Sequence, residues 1–229
     1  MSQVQLSFRI AQVLVRRLVI PIFTDLRVTG LEHVPKTGPF IMACNHFSMT
    51  EVPIFFAVLP RRPRTMAKLE VMNSLFIGPL GRWVRAIPVK RNGFDRAALR
   101  TAAEVLADGD AFGIFPEGTR SKTGRLLKAQ PGAGLLALRS GAPVLPIAFY
   151  GTDKIFEGDR PHFRRRSSMS IGPLLTAEEL KQAGGPAEAT EIIMRRIARM
   201  LPPSARGEYG EQPTPTTSED QPASQAAKL

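Results

Sequence analysis

The 229-residue sequence has little cysteine, few aromatic residues and no long apolar segment that is free of charge. Its one cysteine, Cys44, excludes an internal disulfide and fits a reducing compartment, and its place in an apolar run favours a structural role over a catalytic one. One Trp, two Tyr and no helix-turn-helix, zinc or RNA-stacking signature argue against nucleic-acid binding. A secretory signal is not predicted either, because Arg9, Arg16 and Arg17 interrupt the apolar residues 4–23.

Acidic residues are scarce relative to basic ones, with 20 Asp and Glu against 31 Lys and Arg. Residues 203–229 carry a net charge of −2, so residues 1–202 carry +13. This excess predicts an anionic partner, and composition leaves open a nucleic acid, an anionic membrane surface or a phosphorylated substrate. Residues 203–228 contain no Leu, Ile, Val, Phe or Met, so we predict a disordered tail over 203–229.

Residues 1–25 are predicted to form an amphipathic segment. On a helix, Leu6, Ile10, Val13 and Arg17 follow the i, i+4, i+7 spacing of one face. Two adjacent arginines near its middle disfavour a spanning helix and favour one that lies in the membrane interface. A helix that simply packs on its own domain is the alternative.

Between residues 26 and 202, short apolar runs alternate with helical patterns. Buried strands are predicted at residues 40–44, 111–115 and 143–150, with an edge strand at 168–171. Helices are predicted at 52–59, 95–107, 133–139 and 188–201. This alternation predicts an α/β domain with a mixed, largely parallel sheet flanked by helices.

Two of these strands end in polar residues suited to chemistry. The first breaks at Asn45 and delivers His46 and, five positions later, Glu51. A histidine is the usual general base near neutral pH, and a carboxylate on its far nitrogen fixes its tautomer. The second break carries Gly118, which lets the backbone approach a ligand, and Arg120, whose planar fork suits phosphate. Because ligands bind beyond the carboxyl ends of parallel strands, the two breaks are predicted to share one pocket.

Four segments in this order and spacing resemble the blocks of the glycerolipid acyltransferases, the PlsC-like 1-acyl-glycerol-3-phosphate acyltransferases. They are Asn45-His46-Phe47-Ser48-Met49-Thr50-Glu51, then Gly81 through Ile87-Pro88-Val89-Lys90-Arg91, then Phe115-Pro116-Glu117-Gly118-Thr119-Arg120-Ser121, and Val144-Leu145-Pro146-Ile147-Ala148. The third segment is highly specific, while the second and fourth are looser. One departure is Glu51, because the family's first block usually has Asp there.

The resemblance implies transfer of a fatty acyl group from acyl-CoA or acyl carrier protein to the free hydroxyl of lysophosphatidic acid, giving phosphatidic acid. His46 would be the base and Glu51 its partner. The residues implied in substrate binding are Arg91, Glu117, Gly118, Thr119, Arg120 and Pro146. No metal and no cofactor are implied beyond the acyl thioester co-substrate. Glycerol 3-phosphate or another lysophospholipid stays open as acceptor.

A location follows from the same features. The Arg-bearing N-terminus and the basic residues 61–64 and 164–166 suit a peripheral or monotopic protein on the cytoplasmic face of the cell membrane, against an anionic surface. A non-catalytic, basic membrane-binding protein is the alternative from another functional class, and such a protein would not need His46.

Overall fold

The computed structural model describes residues 3–73, 78, 81, 86–89, 96–157 and 160–210. The strands are β1 (Thr24–Thr29), β2 (Phe40–Cys44), β3 (Arg64–Lys68), β4 (Ile87–Val89), β5 (Ala111–Ile114), β6 (Val144–Tyr150), β7 (Phe156–Glu157), β8 (Arg160–Pro161) and β9 (Arg165–Ile171). The helices are α1 (Gln3–Leu14), α2 (Ile20–Phe23), α3 (Glu51–Val58), α4 (Leu69–Met72), α5 (Arg96–Ala107), α6 (Gly132–Ser140), α7 (Ala177–Lys181) and α8 (Pro186–Arg199).

Seven of these strands form one sheet in the order β1-β9-β6-β2-β5-β3-β4. Its pairs are parallel except β6 with β9, which are antiparallel. The predicted mixed, largely parallel sheet is therefore confirmed. The predicted edge position of residues 168–171 is wrong, because β9 lies between β1 and β6. At the start of β9, the Ser167 hydroxyl is buried and hydrogen-bonds to Thr24 of β1 at 2.6 Å.

The central strand β2 is buried on both faces, as a parallel strand covered by helices should be. Side chains alternate along a strand, so Ile41 and Ala43 join the core under α5, α6 and α8, while Phe40, Met42 and Cys44 join the core under α3. Burial, with the nearby charge of Glu51 adding to it, raises the pKa of the Cys44 thiol well above its ordinary value. This environment fits the structural role predicted for the cysteine.

The N-terminal segment is helical, as predicted, and it packs on the domain. Helix α1 continues through a π-helical stretch, Val15–Val19, into α2. The Gln12 amide donates to the carbonyls of Phe56 and Leu59 at 2.9 and 2.7 Å, and so satisfies the carboxyl end of α3.

The same segment exposes large apolar side chains together with Arg9, Arg16 and Arg17. The exposed apolar side chains are Ile10, Val13, Leu14, Leu18, Val19 and Ile22. None of the helices in the described ranges has both the length and the hydropathy to span a membrane. Membrane contact by this segment stays a prediction.

The disordered tail predicted from residue 203 is wrong for residues 203–210. Two 3-10 turns, Pro203–Ala205 and Gly207–Tyr209, pack against the domain, with Ala205 and Tyr209 buried. Main-chain hydrogen bonds join Leu126 to Ala205 and Glu208, and the Tyr209 hydroxyl accepts the Ala129 N–H at 2.9 Å. The prediction counted aliphatic residues and Phe, and so missed the anchoring tyrosine. Residues 211–229 lie outside the described part of the chain.

Candidate active site

The end of β2 is fixed by a buried asparagine. The Asn45 side chain donates to the Phe149 carbonyl at 2.9 Å and accepts the Phe149 N–H at 2.7 Å. The amide thereby extends the pairing between β2 and β6 by one step, in the place of a backbone peptide. Consequently, the next residue, His46, leaves the sheet at a defined position.

His46 and Glu51 form the predicted pair. The His46 Nδ1 lies 2.7 Å from the Glu51 Oε2, and the Glu51 side chain is fully buried while that of His46 is 18% exposed. A carboxylate can only accept, so Nδ1 carries the proton and Nε2 is left free to take one. The extra methylene of glutamate, relative to the aspartate usual at this position, does not prevent this contact.

The other oxygen of Glu51 is held by three donors. Its Oε1 accepts the N–H groups of Phe47 and Ser48 at 2.9 Å and the hydroxyl of Thr152 at 2.7 Å. Glu51 is also the first residue of α3, where the helix dipole favours a negative charge. These donors compensate the carboxylate for its loss of water and fix the oxygen that faces the imidazole.

An aromatic ring covers one face of the imidazole. The ring of Phe115, which follows β5, stacks on His46 with centroids 4.1 Å apart and planes inclined by 24°. Such a contact limits the rotation of the imidazole.

The loop after β5 holds the backbone of His46 through hydrogen bonds. The Glu117 Oε1 accepts the His46 N–H at 2.8 Å, and its Oε2 accepts the Leu127 N–H at 2.8 Å. Four residues after Glu117, the Ser121 N–H donates to the His46 carbonyl at 2.8 Å. Both main-chain polar groups of His46 are thus bonded to one loop.

Burial dominates the titration of Glu117, which is 4% exposed. It raises the pKa of the carboxyl from 4.5 to about 7, against the lowering effect of the Leu127 and His46 N–H groups, and the charge of Glu51 raises it further. Because both Glu117 oxygens serve the backbone, its described contacts do not support the direct substrate contact predicted for it. Its geometry is that of a residue that positions His46.

Three predicted residues lie in the loop that grips His46. Gly118, Thr119 and Arg120 fall between the two residues bonded to the His46 backbone, and all three are exposed. Gly118 has φ of +68°, a left-handed conformation that favours glycine. The structure therefore places Thr119 and Arg120 in the loop that is hydrogen-bonded to the His46 main chain.

Of the two remaining predicted residues, only Pro146 belongs to the described part of the chain. Pro146 lies buried within β6, opposite Ala43 of β2, and its carbonyl accepts the Gly172 N–H at 2.9 Å. A role in shaping a pocket stays a prediction for Pro146. Arg91 and the neighbouring Lys90 lie outside the described residues.

Two supporting residues were missed from the sequence, Phe115 and Thr152. Phe115 reads as the last residue of a buried strand, and nothing local indicates that its ring meets an imidazole. Thr152 lies 101 positions after Glu51, but it follows Gly151 directly beyond β6. The polar residues that follow β6, the third of these parallel strands, could have indicated a contact with the site.

The described residues contain no cluster of three or more His, Cys, Asp or Glu side chains arranged to hold a metal ion. What they provide is a tethered base, a buried partner and an exposed polar loop. This constellation can remove a proton from a hydroxyl group near an anionic moiety.

Comparisons with known proteins agree with this chemistry. The sequence model of the Acyltransferase family matches residues 25–150. The chain is 29% identical over 188 residues to a 1-acyl-sn-glycerol-3-phosphate acyltransferase of Bacillus subtilis, covering 80% of this chain and 92% of that protein. It is 28% identical to the alpha enzyme of that name from Bos taurus, covering 80% of this chain and 66% of the bovine protein.

A solved structure matches as well. The fold resembles the crystal structure of the 1-acyl-sn-glycerophosphate (LPA) acyltransferase PlsC from Thermotoga maritima, with a TM-score of 0.71, 25% identity and coverage of 86% of this chain and 80% of that one. The family match spans more than half of the 229 residues and includes both strand ends that meet at His46. On these grounds the chain belongs to the Acyltransferase family.

Proposed function

We propose that this protein transfers a fatty acyl group from an acyl thioester to the free hydroxyl of lysophosphatidic acid, giving phosphatidic acid. The named activity of the relatives supports this acceptor. The thioester is acyl-CoA or acyl carrier protein, and the basic surface of the chain suits the phosphates of one and the acidic surface of the other.

The observation that carries the proposal is the 2.7 Å contact between His46 Nδ1 and Glu51 Oε2. It leaves the His46 Nε2 as the proton acceptor. As Nε2 takes the hydroxyl proton, the acceptor oxygen bonds to the thioester carbonyl carbon. Collapse of the tetrahedral intermediate breaks the C–S bond, and the imidazolium returns the proton to the thiolate that leaves.

Glu51 and Glu117 act in different ways in this scheme. Glu51 stabilises the imidazolium that forms during the reaction and keeps the ring in the productive tautomer. Glu117 fixes the main chain on which the base sits. Since the thioester is already activated, positioning and a base are the main requirements.

Recognition of the phosphate is assigned to the exposed loop beside His46. The Arg120 guanidinium suits a bidentate contact with phosphate oxygens, and the Thr119 hydroxyl and the main chain at Gly118 offer further donors. Arg91 is proposed as a second cation of this site on the strength of the family resemblance.

The protein is proposed to work as a peripheral protein on the cytoplasmic face of the membrane. Support comes from the exposed apolar side chains of its N-terminal segment, from the excess of basic residues and from the single buried cysteine. Lysophosphatidic acid resides in the bilayer, so a surface location brings the loop at Gly118 to its substrate.

The test is acyl transfer to lysophosphatidic acid in mixed micelles, with acyl-CoA and acyl carrier protein thioesters as donors. His46→Asn is the informative variant, because the asparagine amide can still donate to Glu51 but has no second nitrogen to accept a proton. We expect turnover to fall by about 10²–10⁴-fold with folding preserved.

His33→Asn is the matched control. The His33 Nδ1 contacts the Ile171 carbonyl at 2.9 Å, a bond that asparagine can keep, so turnover should stay near wild type. Wild-type protein that acylates another acceptor but not lysophosphatidic acid would overturn the proposed substrate. Retained turnover in His46→Asn would overturn the mechanism.

A further inference from the structure

Three phenylalanines form an exposed stack at the end of the N-terminal helical segment. The ring of Phe23, the last residue of α2, stacks on Phe156 with centroids 6.0 Å apart and on Phe163 with centroids 5.8 Å apart. Phe163 is 62% exposed and Phe156 is 39% exposed. Large aromatic side chains that stay in water at this level are costly unless another surface covers them.

The stack belongs to a hairpin held against α2. Strands β7 and β8 pair antiparallel through Phe156 and Pro161, and the chain then returns past Phe163 toward β9. The Arg164 N–H donates to the Ile22 carbonyl at 3.2 Å, and Arg164 adopts a φ of +53°, which is unusual for a residue with a side chain. This anchor makes the aromatic stack continuous with the exposed apolar side chains of Leu18, Val19 and Ile22.

The segment that carries Phe156 and Phe163 is also rich in exposed arginine. The exposed arginines of the hairpin and its return are Arg160, Arg164, Arg165 and Arg166. Side chains alternate along a strand, so Arg166 lies on the opposite face of β9 from Arg165, in register with Asp25 of β1. In the other predicted basic loop, residues 61–64, the first arginine bonds to the main chain of the domain. There, Arg61 contacts the carbonyls of Gly38 and Gly109, at the end of the sheet opposite His46.

We propose that Phe23, Phe156 and Phe163, with Arg160, Arg164 and Arg165, form a second membrane-docking element beside the N-terminal helix. Phenylalanine and arginine side by side match the interface of an anionic bilayer, where rings enter the acyl boundary and guanidinium groups meet the phosphates. The hairpin and α2 would then enter the same leaflet as one rigid unit, because main-chain and ring contacts join them. This inference rests on the proposed peripheral location and not on the reaction.

The test is sedimentation of the full-length protein with vesicles of phosphatidylcholine alone or with 30% phosphatidylglycerol as the probe. We expect Phe163→Ser to weaken binding to the anionic vesicles by about tenfold, and Phe163→Trp to keep or strengthen it, since Trp favours the membrane interface. The double variant Arg164→Gln, Arg165→Gln should weaken binding to the anionic vesicles by about tenfold in low salt and leave binding to phosphatidylcholine unchanged.

Arg139→Gln is the matched control for charge. Arg139 is exposed in the last turn of α6, on the other face of the sheet, so its replacement should not change binding. Vesicle binding by His46→Asn should equal that of the wild type, which separates a failure of docking from a failure of catalysis. Unchanged vesicle binding in Phe163→Ser would overturn the proposal. A surface that instead joins two copies, seen as a dimer that Phe163→Ser dissociates while vesicle binding persists, would overturn it too.

Discussion

The ends of β2 and β5 both bring a buried glutamate to His46, but the two carboxyl groups meet different parts of that residue. Glu51 contacts the imidazole, and its second oxygen is held by three further donors. Glu117 contacts the His46 N–H, and its second oxygen holds the Leu127 N–H. One carboxylate acts on the ring that does the chemistry, and the other acts on the backbone that carries the ring.

The two carboxyl groups also differ in the number of hydrogen-bond donors around them. Glu117 has two backbone donors, too few to offset its burial, and its pKa rises to about 7. Glu51 has four donors, and it starts a helix. The comparison teaches that burial alone does not describe a glutamate site, because the number and kind of donors around the two buried carboxyl groups differ as well.

The largest effect should come from Glu51→Gln. The glutamine oxygen can replace Oε1 toward Phe47 and Ser48, which points the amide nitrogen at the His46 Nδ1. The His46 Nδ1 must then accept a hydrogen bond from this amide. The imidazole proton moves to Nε2, which can no longer act as the base. We expect kcat for acyl transfer to fall by about 10³-fold, measured by thioester consumption in mixed micelles.

Glu117→Gln is the matched control for this loss. It removes a carboxylate at a similar depth beside the same histidine but leaves the imidazole tautomer unchanged. Its kcat should fall far less, by about tenfold, through a displaced His46 backbone. A loss of kcat in Glu117→Gln as large as that in Glu51→Gln would contradict the claim that Glu51 acts on the imidazole and Glu117 on the main chain of His46.

A smaller effect is expected on stability as a function of pH. Between the ordinary pKa of 4.5 and the folded-state value of about 7, folded Glu117 holds a proton that the unfolded chain has released. Its contribution to the free energy of unfolding is fully present below pH 4.5 and is lost as the pH rises through 7. The raised pKa corresponds to a loss of about 3 kcal/mol, which urea unfolding at pH 5 to 8 can measure.

Glu117→Gln should flatten this dependence, because glutamine does not titrate. The control is Glu178→Gln, which removes an exposed glutamate in the first turn of α7 and should leave the wild-type slope in place. Parallel curves for wild type and Glu117→Gln would contradict the raised pKa of the buried carboxyl.

The sequence predicted the parts of the site that are local and missed those that depend on distant contacts. His46 and Glu51 lie five positions apart at the end of an apolar run, so periodicity and residue type were enough to pair them. The meeting of β2 with β5 followed from the rule for parallel strand ends, and these strands are neighbours. Phe115 and Glu117 belong to the third segment of the family resemblance. Whether such a side chain faces substrate or backbone depends on packing that the local pattern does not encode.

Two misassigned segments teach the same point about the fold. Residues 168–171 were predicted as an edge strand, yet β1 pairs with β9 and gives it an interior position. Residues 203–210 contain no Leu, Ile, Val, Phe or Met, yet Tyr209 and main-chain bonds to Leu126 hold them on the domain. In both cases, a polar or aromatic group found a distant partner, which composition does not reveal.

The smallest effect is expected from Thr152→Val, which tests whether the donors around Glu51 matter for catalysis. Valine fills a similar volume but removes the hydroxyl that donates to Oε1 at 2.7 Å. Loss of a hydrogen bond to a charged group should lower the free energy of unfolding by about 1.5 kcal/mol. Because two backbone donors still hold Oε1, the contact of Oε2 with the imidazole should persist, and kcat should fall only a few-fold.

Thr190→Val separates this effect from stability. The Thr190 hydroxyl is also buried and accepts the Gly134 N–H at 2.9 Å, but it joins α6 to α8 and makes no described contact with the His46 cluster. We expect a similar stability loss and no change in kcat. If the two variants lower kcat equally, the donors around Glu51 serve only the fold. If only Thr152→Val lowers kcat, the third donor on Oε1 helps to hold the carboxylate that the imidazole needs.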